Sequence, residues 1–195
     1  MKRCLTIILL IAAVLIGVIA LIGRKPNISG PTYSEALNTT ADRMIKLPAD
    51  GPVLQTEAFQ RFVSLWSNLT EESIAQHIDT VYAEDVWFND TVKTITGREA
   101  LRHYLEETAR RVASCQVEID DIGISEGNYY VRWRMTVMLH DTPEESAWRS
   151  IGLTHLRFNE AGQVVLHQDY WDSAAGIYEH LPVVGWMIRA IKARL

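Results

Sequence analysis

Residues 5–23 form an uncharged apolar run, which reads LTIILLIAAVLIGVIALIG. A helix of about 20 apolar residues can cross a hydrocarbon core of about 30 Å, so the run predicts a transmembrane anchor at residues 1–25. A cleaved signal peptide is the alternative. Its apolar core would be about 7–15 residues long and would end in small residues. This run is longer and ends in Leu21-Ile22-Gly23, which favours an uncleaved anchor.

The charges on either side of this run predict its orientation. Lys2 and Arg3 precede it, and Arg24 and Lys25 follow it. Because positive charge tends to stay on the cytoplasmic side, the amino terminus adds to the first pair. We therefore expect a single-pass membrane protein whose domain lies outside the cytoplasm.

Prolines and glycines interrupt the pattern between residues 26 and 55. Such residues break long regular elements, so this segment predicts an irregular tether. Within it, residues 33–47 carry apolar positions that suit a short helix.

From Thr56 onwards the apolar positions recur first at helical spacing and then at strand spacing. The spacing predicts three helices, from residue 56, over 70–78 and over 98–112, and strands over 81–90, 115–124, 129–139, 147–159 and 163–172. Helices followed by consecutive strands with tight turns are typical of an α+β domain. We expect the three helices to pack in the concavity of one curved, mainly antiparallel sheet.

Composition excludes several partners and sites. With a net charge of −5, the chain lacks the basic face that nucleic-acid binding requires. Cys115 is the only cysteine beyond residue 25, so no disulfide can form within the domain. His103, His155 and His167 stand on different elements without metal-ligand spacing, and we expect neither a metal nor another cofactor.

Four strings, in this order, resemble the SnoaL-like and ketosteroid-isomerase-like members of the nuclear transport factor 2-like superfamily. They are YAEDVWFND at 82–90, TGREAL at 96–101, LRFNEAGQV at 156–164 and HQDYWD at 167–172. The resemblance covers residues 56–180 and implies a cone-shaped fold with an apolar pocket. Members of that superfamily catalyse isomerisation, cyclisation or epoxide hydrolysis there, whereas others only bind.

The resemblance places the isomerases' general base at Asp90, at the end of the first string. Apolar surroundings raise the pKa of a carboxyl group and make it a better base at neutral pH. The alternative is that Asp90 only caps the turn before Thr91. The acidic donors of the isomerases are missing, because Thr154 stands where they carry a protonated carboxyl and the Arg61–Phe62 region replaces their tyrosine. Steroid isomerisation is therefore disfavoured.

A second carboxylate is expected in the same pocket. The family pattern turns Asp169 inward together with Trp171, although Asp169 can equally serve as a buried hydrogen-bond partner. Side chains two apart on a strand share a face, so Trp133 and Met135 are placed inside as one set. The expected ligand-binding residues are Trp87, Tyr104, Trp133, Met135, Thr154 and Trp171, with core packing as the alternative for the aromatic ones.

The segment 181–195 is basic and amphipathic, with Trp186, Met187 and Ile191 against Arg189, Lys192 and Arg194. It predicts a helix that lies at the membrane interface, or one that closes the mouth of the cone or covers a partner in a homodimer.

These features predict a membrane-anchored domain that binds a small apolar molecule. The alternatives are an isomerase, cyclase or hydrolase that uses Asp90 as general base, and a non-catalytic assembly module.

Overall fold

The computed structural model describes residues 30–47, 51–181 and 183–195. The predicted membrane anchor lies outside these residues. Within the described ranges, no helix is long and apolar enough to cross a bilayer.

The structure describes six α-helices, and local capping explains where two of those in the domain begin. They are α1 (Tyr33–Thr40), α2 (Glu57–Trp66), α3 (Glu71–Val81), α4 (Arg98–Arg111), α5 (Ser173–Gly176) and α6 (Val184–Lys192), with 3-10 turns at Val53–Gln55, Glu144–Ser146 and Tyr178–His180. At α2, the Thr56 hydroxyl accepts the backbone N–H of Phe59. At α3, Thr70 and Ser73 cap each other's free backbone groups, so both starts follow from hydroxyl residues in the sequence.

Six strands form one sheet in the order β2-β1-β6-β5-β4-β3. They are β1 (Tyr82–Asn89), β2 (Thr94–Thr96), β3 (Ser114–Ser125), β4 (Asn128–Met138), β5 (Trp148–Phe158) and β6 (Val164–Trp171). Register shifts interrupt three of the pairings, at Tyr82/Trp87, Ile119/Asp121 and Arg157/Phe158. Such irregularities bend strands, and the sheet is curved and unclosed.

The sheet is mainly antiparallel, as predicted, but it is mixed, because β1 pairs with β6 in parallel. Tight turns force antiparallel pairing only between consecutive strands. β1 and β6 are separated by most of the domain, so no turn constrains their relative direction. The short strand β2 was not predicted, since three residues are too few to show an alternating pattern.

Helices α2, α3 and α4 pack against one face of the sheet, as their apolar spacing predicted. Phe59, Leu65, Ile78 and Leu105 from these helices are fully or almost fully buried. The facing core residues of the sheet include Tyr129, Val131, Leu156, Phe158 and Val164. The main core therefore lies between the helices and the sheet.

Helix α1 lies on the opposite face of the sheet, where Ala36 packs with Trp87 and Leu166. Beyond it, the backbone of Ile45 forms a bridge with Phe158. The described part of the predicted tether is thus packed on the domain. Gly127 permits this packing, since its φ is +84° and an added Cβ would lie 3.3 Å from the Ile45 carbonyl oxygen.

Candidate functional site

A cavity of about 230 Å³ lies between helices α2 and α4 and the inner face of the sheet. Its walls are mainly apolar and aromatic, with contributions from Phe62, Trp66, Phe88, Leu105, Val131 and Met135. Two carboxylates, Asp90 and Asp169, also line it. The sequence-based expectation placed both side chains in one pocket, and the structure brings them together.

Asp90 follows the end of β1 and uses its two oxygens differently. Its Oδ1 accepts the backbone N–H groups of Val92 at 2.9 Å and Lys93 at 2.7 Å. Its Oδ2 accepts the hydroxyl of Tyr104 from α4. Asp90 therefore caps the turn with one oxygen and forms the polar wall of the cavity with the other, so both interpretations of this residue describe part of its geometry.

Burial raises the pKa of Asp90 above its ordinary value, and the charge of Asp169 adds to the shift. The hydrogen bonds from Tyr104 and the turn oppose it only in part. Burial also raises the pKa of Tyr104, and the neighbouring Asp90 charge raises it further. Tyr104 thus remains a protonated donor, and the pKa of Asp90 is shifted in the direction that makes a carboxylate a better proton acceptor.

Asp169 lies on β6 within a hydrogen-bonded network. Its Oδ1 accepts the Thr154 hydroxyl at 2.5 Å and lies 2.9 Å from Nε2 of His167. The indole N–H of Trp133 donates to Thr154 at 2.8 Å. Thr154 and Trp133 therefore support Asp169 and are not free to donate to a ligand.

The network continues from His167 to Tyr82 and Trp66. The Tyr82 hydroxyl lies 2.9 Å from His167 Nδ1 and receives the indole N–H of Trp66 at 3.0 Å. Because an indole can only donate, the Tyr82 proton is available for Nδ1, which assigns the His167 proton to Nε2 and directs it at Asp169. Among the described residues, Oδ2 of Asp169 has no hydrogen-bond partner, so this is the carboxylate oxygen available to a ligand.

The remaining predicted ligand-binding residues divide between the two faces of the sheet. Tyr104, Trp133, Met135, Thr154 and Trp171 line the cavity. Trp171 also donates its indole N–H to the backbone oxygen of Asp90 at 2.8 Å, which ties β6 to the turn after β1.

Trp87 requires a correction, because it lies on the outer face. Its indole N–H donates to the backbone oxygen of Pro31 at 2.8 Å, and its ring packs near Tyr33 of α1. The reason is strand alternation. Phe88 and Asp90 face the cavity, so Trp87, which directly precedes Phe88, faces the opposite side of the sheet. The same rule could have excluded Trp87 from the sequence.

The site residue that sequence reasoning missed is His167. The sequence suggests a metal ligand as its role, and its spacing from the other histidines argues against that role. However, His167 precedes Asp169 and Trp171 by two and four positions on β6, and alternation therefore places all three on one face. Among residues 30–47, 51–181 and 183–195, no three His, Cys, Asp or Glu side chains could together hold a metal ion.

The rim of the cavity includes the strand start at Trp148 and the chain after β6. Gly176 and Ile177 line the cavity beside Trp148, whose ring stacks on His180 at a centroid distance of 4.6 Å. An added Cβ at Gly152 would lie 2.2 Å from Cζ2 of Trp133, so the absence of a side chain there makes room for that indole.

The family model for the SnoaL-like domain matches residues 58–167. The chain belongs to the SnoaL-like family. The resemblance inferred from the four strings is thereby confirmed. No protein among those of curated function matches the chain by sequence.

Several solved structures share the fold of this SnoaL-like domain. A hypothetical protein with a ketosteroid isomerase-like fold from Catenulispora acidiphila, in complex with trimethylamine, is 17% identical with a TM-score of 0.53; 62% of this chain and 89% of that chain are covered. An LEH-like epoxide hydrolase of M. tuberculosis is 16% identical with a TM-score of 0.51; 70% of this chain and 90% of that chain are covered. An NTF2-like protein of unknown function from Exiguobacterium has the same identity of 16% and TM-score of 0.51; 59% of this chain and 98% of that chain are covered. At these identities the likeness is one of fold.

Proposed function

We propose that this SnoaL-like domain binds a small, mainly apolar molecule in its cavity and accepts a proton from it through Asp90. One observation carries the proposal: two carboxylates, Asp90 and Asp169, line a cavity whose walls are otherwise mainly apolar. Buried carboxylates are costly to desolvate, so a pair of them in an apolar cavity is better explained by function than by stability.

The cavity limits the size and character of the ligand. At about 230 Å³ it is smaller than most ligand pockets, which range from about 300 to 1,000 Å³. Aromatic and aliphatic walls suit a ligand with an apolar ring system. Oδ2 of Asp169 suits a hydroxyl or other donor on that ligand, because its Oδ1 already accepts two donors within the protein.

The hydrogen-bond donors limit the reaction. Stabilising an enolate oxygen requires donors aimed at it. The indoles of Trp133 and Trp171 and the hydroxyl of Thr154 all donate within the protein, which leaves weak neutral donors such as the Ser150 hydroxyl and the Trp148 indole for an enolate oxygen. We therefore propose a substrate whose C–H bond is already acidic, such as a ketone activated by a neighbouring unsaturated group.

The test uses 2-tetralone, a small apolar ketone with an activated C–H bond. Full-length protein in lipid nanodiscs is placed in deuterated water, and proton NMR follows exchange at the activated carbon against protein-free nanodiscs. Asp90→Asn should slow the protein-dependent exchange by about 100-fold or more, which is typical for the loss of a general base. Quenching of the cavity tryptophans by 2-tetralone should report an affinity within about 3-fold of the unchanged chain, since the cavity wall is retained.

Asp85→Asn is the matched control, because Asp85 lies on the same strand but is exposed and pairs with Arg43. It should exchange like the unchanged chain. If the unchanged chain quenches with 2-tetralone but exchanges no faster than Asp90→Asn, the domain is a binder and the catalytic part of the proposal fails.

A further inference from the structure

Helix α6 is attached to the domain by its polar side. Arg189 donates to the backbone oxygen of Glu179 at 2.6 Å, and the Lys192 ammonium lies 2.5 Å from the Glu179 carboxylate. Gly185 closes the contact, since an added Cβ there would lie 2.1 Å from the same backbone oxygen. Positions 185, 189 and 192 share one face of a helix, and that face points at the protein.

The apolar side of α6 consequently points outward. Trp186 is 68% exposed, Met187 is 51% exposed and Ile191 is 58% exposed. Val183 and Val184 extend the same apolar surface. A helix at the surface of a globular protein normally buries its apolar stripe and exposes its charges. This helix exposes its apolar stripe as well as its charges, and nothing in the described part of the chain covers that stripe.

The charge of this region is opposite to that of the whole chain. Residues 181–195 contain Arg189, Lys192 and Arg194 and no acidic residue, whereas the chain carries a net charge of −5. An apolar stripe flanked by basic residues and bearing an exposed tryptophan is the pattern of helices that lie at a bilayer surface. Because Lys192 is paired with Glu179 and Asp172, the charges left to attract an anionic surface are those of Arg189 and Arg194, and a second copy of α6 would bring these like charges together.

The predicted anchor would keep this helix near a membrane. From Arg24 to Thr32 the chain spans at most about 30 Å when fully extended, at about 3.4 Å per residue. If residues 5–23 cross the bilayer, the domain remains within that distance of its surface.

From these observations we propose that α6 lies on an anionic lipid surface, with Val184, Trp186, Met187 and Ile191 inserted among the lipids. The proposal does not depend on the reaction at Asp90. It concerns residues 183–195, none of which is among the residues that line the cavity.

The test measures the depth of α6 in the full-length chain. Met187→Cys in a Cys4→Ser background is labelled with an NBD fluorophore, since the remaining Cys115 is buried. The protein is reconstituted in vesicles of phosphatidylcholine alone or with about one third phosphatidylglycerol. In the anionic vesicles we expect a blue-shifted label that is quenched by doxyl lipids, and a smaller effect in 0.5 M salt, because salt screens exposed charges.

A label at Glu160→Cys is the positional control, because Glu160 is exposed in the turn at the opposite end of β5 and β6. It should remain in water in both vesicle types. The double change Ile191→Glu with Trp186→Glu should return the label at position 187 to water, whereas Ile124→Glu, at an exposed apolar position of β3, should not.

Three results would overturn the proposal. The label at position 187 could remain in water in both vesicle types, or be buried equally in both, which would remove the role of anionic lipid. Alternatively, the label could be buried in detergent, without vesicles, to an extent that rises with protein concentration. That result would show that a second copy of the chain covers the apolar stripe.

Discussion

At the scale of single residues, the two oxygens of Asp90 separate a structural task from a chemical one. Oδ1 holds the turn through Val92 and Lys93, and Oδ2 meets Tyr104 in the cavity. Since three donors fix the carboxylate in place, a proton acceptor here would need little reorganisation when a ligand arrives. The arrangement is also costly, because the charged form is buried.

This cost leads to a stability prediction for Asp90→Asn. A raised pKa means that the protonated carboxyl is favoured in the fold, so stability is full below the pKa of unfolded Asp and is lost as pH rises through the raised pKa. Asp90→Asn removes that loss. Its melting temperature should exceed that of the unchanged chain at pH 8, and the difference should shrink towards pH 4. Asp85→Asn should show no such trend. If Asp90→Asn is instead destabilised equally at every pH, its effect on stability comes from the lost turn contacts and not from the buried charge.

A second prediction concerns the space beside Trp133. In Gly152→Ala the new Cβ would lie 2.2 Å from the indole, which must then move and lose its hydrogen bond to Thr154. Overpacking of this kind costs about 1–3 kcal/mol, and denaturant unfolding should report a loss of this size. Gly123→Ala is the matched control on β3, where the nearest atom would be 3.9 Å away, and should cost less. Equal costs at the two positions would contradict the proposed role of Gly152.

The residues of the site could be predicted from sequence only in part. The four strings, read with strand alternation, point to Asp90 and Asp169, which lie on or directly after the neighbouring strands β6 and β1. The same alternation includes His167 in the site and excludes Trp87 from it. The partners of Thr154 could not be predicted, because the direction of its hydrogen bonds depends on strand register, which the pattern of apolar positions leaves open.

At the scale of elements, a buried polar cluster attaches α1 to the sheet. The Tyr33 hydroxyl lies 2.8 Å from Nδ1 of His155, and Nε2 of His155 lies 2.9 Å from the Asn128 side-chain oxygen. The same oxygen accepts Nε of Arg157, which also donates to the backbone of Leu37. Because a helix of this length is marginal alone, these contacts and the packing of Ala36 explain its position.

This cluster predicts a dependence of stability on pH. Burial, together with the charge of Arg157, lowers the pKa of His155 to about 4 from its ordinary value of 6.5. A depressed pKa gives stability that is present above the unfolded value and is lost as pH falls towards the folded one. Between pH 6.5 and 4 the loss should be on the order of 3 kcal/mol, at about 1.4 kcal/mol per pKa unit.

His155→Gln should flatten this slope while lowering stability at pH 7, as measured by denaturant unfolding across the pH range. His140→Gln, at an exposed histidine, should keep the slope. Faster hydrogen exchange in residues 33–40 of the unchanged chain at pH 4.5 would locate the loss at α1. If His155→Gln retains the full slope, other groups carry it.

The elements themselves were mostly visible in the sequence, because helices α2 to α4 and strands β3 to β6 have clear periodicity and turn residues. Two features of their arrangement were not. The parallel pairing of β1 with β6 is a tertiary choice that no local pattern encodes. The short helix expected within residues 33–47 is present as α1, but its attachment to the sheet depends on side chains more than a hundred residues away, such as Arg157.

At the scale of the whole molecule, the apolar run at residues 5–23 and the outward apolar face of α6 are independent features of opposite ends of the chain. Both are explained if the domain operates at a membrane. The cavity lining at Gly176 and Ile177 lies in the segment that leads to α6, so a domain docked by α6 would hold one part of its cavity rim near the lipid. This arrangement suits the apolar ligand proposed above.

The last prediction concerns the anchor. An uncharged run of this length has no reason to leave the bilayer once inserted, because transfer of its side chains to water would expose the apolar surface of a whole helix. The full-length chain should therefore sediment with membranes after washes in high salt and in alkaline carbonate, which remove proteins held by charge or by a surface helix alone. Deletion of residues 1–25 should release most of the domain under the same washes, while α6 would still bind anionic vesicles at low salt. Recovery of a soluble protein whose first residue is near Arg24 would instead identify the run as a cleaved signal, and α6 would then have to provide the membrane contact by itself.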